Sequence, residues 1–182
     1  MIDVSTVATS EPLRVIVAAG QQAWPGWIPT QQEELDLLKR EDWENSFSIR
    51  RPDRLLCEHC WEHLTQDEGR RAAKICFEFL AAGGNLRVAV PDANFRNEQY
   101  QRLVGVGQLG HKILYDYRLF SDIFTRAGFA VDLLEYCDES GRFHFNYWDF
   151  ADGPVYRSLR LDHRNKDGQL GMVSIILDAR KH

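Results

Sequence analysis

The chain has 182 residues, 44% of them hydrophobic and 27% charged, with a formal net charge of −5. That length suits a single domain able to bury roughly 70% of its unfolded surface, and the composition is that of a soluble globular protein rather than a disordered one. There is no basic block of the kind that binds nucleic acid through its phosphates, and no apolar run nears the roughly 18 residues of a membrane span. Met1 to Pro12 lacks the basic start and apolar core of a signal peptide. Cys57, Cys60, Cys76 and Cys137 fall in strand, turn and helix positions rather than in a loop-rich scaffold, which indicates a reduced, cytoplasmic protein.

In chain order, residues 1–11 read as a loose polar leader. Leu13 to Ala18 is β-branched and apolar, a central strand. It runs into the small residues Ala18, Ala19 and Gly20, where a strand must turn sharply. Pro25 and Gly26 leave any following helix short or absent, and Trp27 and Ile28 start a brief second strand that ends near Thr30 and Gln31. Gln32 to Lys39 is too short to classify by period. Asp53 to Cys57 is a buried strand by its apolar run. Thr65 with Glu68 three residues on is a capping box, opening a helix whose apolar positions are Ala72, Ile75, Cys76, Phe79 and Leu80. Gly83 and Gly84 stop that helix, and Leu86 to Val90 is the next strand, closed by Pro91. Two buried strands joined through such a helix form a parallel pair with a right-handed crossover.

Residues 93–117 form a long polar loop without a clean period, a functional kind of connection in a compact domain. Asp116 caps a helix carrying Leu119, Phe120, Ile123, Phe124 and Ala127, stopped by Gly128. Phe129 to Tyr136 reads as a strand. The 141–168 loop is aromatic and charged, and its arginines either meet an anionic acceptor or, as we prefer, pair with the local carboxylates Asp149, Asp152, Asp162 and Asp167. Leu170 to Leu177 is a last strand that returns antiparallel.

The densest polar cluster, Glu58-His59-Cys60-Trp61-Glu62-His63, lies at the carboxyl end of a parallel strand, where open α/β sheets place ligands. Three readings of it stand side by side. Glu58, His59 and His63 line the acceptor side of a pocket, with histidine able to take a proton near neutral pH. His59-x-x-Glu62-His63 satisfies the inverted zinc-peptidase pattern, which requires one continuous helix through both histidines and a third ligand elsewhere. Or the cluster is structural, bonding backbone at the sheet edge. No metal is assigned.

The segments DRLLCEHCWEHL (53–64), LAAGGNLRVAVPD (80–92) and AGF (127–129) resemble the class I S-adenosylmethionine-dependent methyltransferases, nearest the group with a "seHvlEHl … LkPGGrlRiavPD … aGF" signature. The run from Tyr156 to Gly168 is similar to small bacterial predicted methyltransferases of the type 11 group. This resemblance implies one Rossmann-like α/β domain over residues 1–182: a mostly parallel seven-stranded sheet with an antiparallel C-terminal strand, short or missing N-terminal helices, and loop insertions at 93–117 and 141–168. It implies S-adenosylmethionine as cofactor and a small-molecule methyl acceptor, while the charge and apolar pattern lead us to expect no nucleic-acid or membrane partner. By the same resemblance the cofactor meets Ala18, Ala19, Gly20, Gln31, Asp36, Leu37 and Cys57, the reaction centre holds His59, Glu58 and His63, and Asn94, His111 and Tyr115 face the acceptor. The chain departs from the family in keeping only Gly20 in the cofactor loop and in carrying Gln31 where the family has an acid for the ribose. Those departures favour a competing reading, a binding or structural protein on the same fold without catalysis.

Overall fold

The computed structural model describes residues 2, 4 and 7–182. Seven strands, β1 (Arg14–Ile16), β2 (Ile28–Pro29), β3 (Arg54–Glu58), β4 (Asn85–Pro91), β5 (Ala130–Cys137), β6 (Phe143–Phe145) and β7 (Ser174–Arg180), form one sheet ordered β2-β1-β3-β4-β7-β5-β6. The first four pair in parallel. β7 runs antiparallel to both β4 and β5, so β5 points with the first four, and β6 turns back antiparallel on β5 at the edge. The expected mostly parallel sheet with its antiparallel C-terminal strand is therefore present, and β6 is an addition inside the 141–168 insertion.

Four helices accompany the sheet: α1 (Arg40–Phe47), α2 (Gln66–Phe79), α3 (Glu98–Val104) and α4 (Tyr117–Ala127). No helix lies between β1 and β2, as Pro25 and Gly26 lead one to expect. The capping box opens α2 as read: Thr65 Oγ1 accepts from the Glu68 amide and the Glu68 carboxylate accepts from the Thr65 amide. Asp116 caps α4 through the Leu119 amide, and Gly128 ends it at φ +110°. α1 and α3 are absent from the sequence reading. α1 buries only Trp43, Ser46 and Phe47 and has no side-chain cap, while α3 buries only Tyr100 and Val104, so neither shows enough apolar positions for a period. The last strand starts four residues later than its apolar run, because the Gly171 and Met172 amides bond the Asn165 side chain, and it runs past Leu177 through Asp178, which is buried in an ion pair.

Period-2 alternation assigns the sheet's two faces. Val15, Leu55, Cys57, Leu86, Val88 and Val90 point into the larger core with Ile175, Leu177 and Ala179, where Trp43, Phe79, Ala72, Phe120 and Phe124 of α1, α2 and α4 cover them. The alternate residues Ile16, Leu56, Ala89 and Ile176 face the other way, onto Trp27, Trp148 and Val155. No helix covers this second face among the described residues; the largely irregular segment 146–173 does. Among the leader residues, Met1, Asp3, Ser5 and Thr6 lie outside the described ones. Rather than standing free, Ile2, Val4 and Val7 pack against the larger core, and Arg50 donates to the carbonyls of Val7, Ala8 and Glu11.

A coil laid on a sheet brings backbone N–H and C=O groups that no ladder satisfies. Here the second face supplies charged side chains for them. Arg87 of β4, 1% exposed, forms a bidentate pair with Asp178 of β7 at 2.7 and 2.8 Å, and its remaining nitrogen donates to the carbonyls of Asp149 and Gly153. Its guanidinium lies 4.7 Å from the Trp148 ring centre. Glu135 of β5 accepts from the Leu159 amide and the Trp148 indole at 2.8 and 2.9 Å, and burial raises its pKa.

Breaking the buried pair strands one charge, so Arg87→Met should lower unfolding free energy by about 3–5 kcal/mol in urea titrations. Arg87→Met combined with Asp178→Leu should recover much of that loss. At the end of β4, Asp92 accepts from the Cys137 and Asn94 amides, yet burial pushes its pKa up to about 6. The folded state thus binds a proton more tightly than the unfolded one, and stability should fall as pH rises from about 4 to about 6. Asp92→Asn should flatten that segment of the pH–stability curve.

Candidate functional site

The strand order reverses between β1 and β3: the chain steps from β1 out to β2, then returns to β3 on β1's other side. Open α/β sheets hold their ligands in the crevice above such a point. A cavity of about 710 Å³ opens there, walled by Ala18–Gln22 after β1, Glu58 and His59 after β3, and residues of the 156–164 segment. A smaller cavity of about 310 Å³ adjoins the same turn through Ala18 and is lined by Leu35, Asp36, Leu37, Cys60, His63 and Leu64.

Both strand ends carry backbone strain at the cleft. Ala18 at φ +52° and His59 at φ +54° are left-handed without being glycine, a conformation that costs of order 1 kcal/mol and clusters at functional sites. The His59 amide donates to Ala89 O at 2.8 Å, which ties the strained residue to β4. Its ring is held at Nε2, 2.9 Å from Ser174 Oγ, while Nδ1 stands 3.1 Å from the Glu62 carboxylate without forming a hydrogen bond to it. Because the Ser174 hydroxyl donates to Arg157 O, it accepts from His59, so Nε2 carries hydrogen. Ser174 is fully buried with its proton committed, so the contact orients His59 rather than activating a nucleophile.

Glu58 anchors one wall. Its carboxylate accepts from the amides of Tyr156 and Arg157 at 2.8 and 2.9 Å, from the Arg157 guanidinium at 3.2 Å and from the Gln22 side-chain amide. With those donors in place it joins the 18–22 turn to the 156–157 strap.

The remaining expected site residues fall into two groups. Ala18, Ala19 and Gly20 edge the larger cavity, and a Cβ placed on Gly20 would meet open space. Asp36 and Leu37 line the smaller one, with the Asp36 carboxylate accepting from the Leu38 amide at 2.7 Å and the Gln32 side chain at 2.9 Å. His63 lines the smaller cavity too. Gln31 lines neither; its amide nitrogen donates to Gly20 O at 2.8 Å, bracing the turn. Cys57 is buried in the helical-side core, where the Cys60 thiol and burial hold its pKa well above the ordinary range. Asn94 bonds Cys137 O at 3.1 Å, Tyr115 is wholly buried against Phe120, and His111 is buried behind Glu62, so none of the three lines either cavity. The 3₁₀ turn at Trp61–His63 begins after His59, so the two histidines do not share the continuous helix that the inverted zinc-peptidase pattern needs.

The sequence reading missed Tyr156, Asp162 and Arg164 as cavity residues. Only Tyr156 had a signal, in Glu58 closing an apolar strand, since a carboxylate there calls for donors; Asp162 and Arg164 bond each other and had none. The expected local pairing holds for Arg164 with Asp162, at 2.6 and 2.8 Å. Arg157 pairs instead with Glu58, and Arg160 stacks on Trp148 and Phe150 at 4.1 and 4.2 Å from their ring centres.

No protein-family model and no curated protein matches the chain. Solved structures do. The CurJ carbon methyltransferase superposes with a TM-score of 0.56 at 13% identity, over 97% of this chain and 50% of that one. A SAM-dependent methyltransferase from Archaeoglobus fulgidus gives 0.54 at 13% identity, over 93% and 86%. The chain has the class I methyltransferase fold. Human N-acetylserotonin methyltransferase, solved in complex with SAM, gives 0.50 at 11% identity, over 93% and 40%. The chain spans half or less of the length of several structures it matches.

If Glu58 fixes the strap, Glu58→Ala should speed hydrogen exchange at the Tyr156 and Arg157 amides by at least about tenfold, with α2 amides changing much less. Equal acceleration across the chain would count against that local role.

Proposed function

We propose that the chain binds S-adenosylmethionine and directs its methyl group to a small-molecule acceptor. The observation that carries this reading is the pair of cavities meeting at Ala18, above the carboxyl ends of β1 and β3 on a methyltransferase fold. The smaller cavity suits a purine: Leu35, Leu37, Leu38 and Leu64 offer apolar walls, and the Asp36 carboxylate keeps acceptor capacity for an exocyclic amine. The turn at Ala18, Ala19 and Gly20 presents backbone to the methionine portion, with open space beside Gly20. When bound, the cofactor supplies an electrophilic methyl on a sulfonium.

The protein's part is chiefly to hold the acceptor in line and to exclude water. In the larger cavity His59, its ring fixed by Ser174, forms part of the wall beside the acceptor, while Glu58 holds the 156–157 strap in position. The acceptor side is formed by Tyr156, Arg157, His163 and Arg164 rather than by Asn94, His111 and Tyr115. Arg157 and Arg164 are paired with Glu58 and Asp162, so this wall is polar with its charges balanced and suits an acceptor rich in hydrogen-bonding groups.

One observation favours a second reading, a binding protein without catalysis. The residue at the ribose position, Gln31, spends its side-chain amide nitrogen on Gly20 O. Calorimetry separates the cases. Micromolar binding of S-adenosylhomocysteine supports the cofactor assignment, and no heat at about 1 mM ligand overturns it. Asp36→Ala should weaken binding roughly tenfold, the size of one lost hydrogen bond. Tight binding with no methyl transfer across acceptor panels would favour the second reading.

A further inference from the structure

Glu62 is the anomaly of the polar cluster. Its side chain is 1% exposed and neither carboxylate oxygen has a hydrogen-bond partner. His59 Nδ1 stands 3.1 Å away but out of line for a hydrogen bond, and the nearest other imidazole nitrogen, His111 Nε2, is 4.0 Å away. The nearby lysine, Lys112, pairs with Glu68, and Arg70 pairs with Asp67. A carboxylate buried without donors costs several kcal/mol, so its surroundings call for a cation.

The two histidines beside it are oriented for one. His111 Nδ1 lies 2.8 Å from Val104 O, and a carbonyl only accepts, so Nδ1 carries the hydrogen and the Nε2 lone pair turns toward Glu62. His63 Nδ1 lies 3.3 Å from Gly110 O and is fixed in the same tautomer. The two rings stand edge to face with centres 5.1 Å apart, and one ligand atom from each of Glu62, His63 and His111 lies within 4.8 Å of the others. A lone pair aimed at a carboxylate is repulsive unless a positive charge sits between them. Imidazoles whose second nitrogen is bonded to a backbone carbonyl are the usual form of metal-binding histidine. The frame is also fastened: the Lys112 amide donates to Glu62 O at 2.7 Å and the Gly107 amide to His111 O at 2.8 Å, joining the 61–63 turn to the 105–113 loop.

We infer that Glu62, His63 and His111 form a binding site for a divalent transition metal of the zinc type. Two imidazoles and one carboxylate match three-protein-ligand zinc, with the fourth position open on the His63 side toward the smaller cavity. The ligand set differs from the inverted zinc-peptidase pattern: Glu62 is a ligand rather than a base, His111 replaces His59, and His59 is held by Ser174.

The test uses the full chain, stripped with chelator and titrated with Zn²⁺ by calorimetry, then with Co²⁺ by visible absorption, without any nucleoside ligand present. One equivalent of Zn²⁺ binding below about 1 μM, with Co²⁺ bands of tetrahedral intensity, is the expected result. His63→Ala, partly exposed and therefore tolerated by the fold, should weaken Zn²⁺ at least about 100-fold, as should His111→Ala. His182→Ala, which removes an exposed imidazole, should leave Zn²⁺ affinity unchanged. No binding at 100-fold higher Zn²⁺, or equal binding in wild type, His63→Ala and His111→Ala, overturns the site. Because the titration contains no S-adenosylhomocysteine, its failure leaves the methyl-transfer reading standing, and the reverse holds.

Discussion

A sheet in this fold has two faces to cover, and this chain has helices for one. The second face is closed by a segment with little regular structure, whose amides and carbonyls must find partners in the dark between coil and sheet. Glu58, Arg87 and Glu135, from three different strands, supply them, and Asp178 of a fourth holds Arg87. Each charge is nearly or wholly withdrawn from water, so each is stable only with its partners in place. The 146–173 segment is therefore held by a few strong, directional contacts rather than by broad apolar burial.

That constraint also shapes the cleft. Glu58 stands at the end of β3, one residue before the strained His59, and its carboxylate reaches both the 18–22 turn and the 156–157 strap. The same carboxylate that closes the second face thus sets the width of the larger cavity. Ser174, at the start of β7, links the His59 ring to Arg157 O, so the antiparallel strand contributes to the orientation of the imidazole across the sheet. Stability and site geometry share these residues.

The polar cluster at 58–63 divides into two environments that its contiguity conceals. Glu58 and His59 face the switch-point cleft, whereas Glu62 and His63 turn toward the loop that carries His111. The break comes at His59, where a left-handed residue ends the strand and a single 3₁₀ turn follows. A helix through the cluster would have put His59 and His63 on one face; the turn instead sends them to different cavities.

The sequence by itself determined the elements whose signals are local. The capped α2, the glycine-stopped α4 and the buried runs of β3 and β4 follow from side-chain caps and apolar periods, and with them the parallel β3–α2–β4 unit. The resemblance carried the fold, and the structure has Ala18, Gly20, Asp36 and His59 lining the two cavities. Only the tertiary structure decided which residues complete that cleft, because Tyr156 and Arg157 lie nearly a hundred positions from the Glu58 carboxylate that receives them. It likewise decided that His111 belongs with Glu62, that Gln31 braces a turn, and that Arg87 pairs with Asp178. A charged residue inside an apolar strand announces in sequence that it needs a partner. Which partner it finds depends on how the strands are ordered and what folds back over them, and no local period records that.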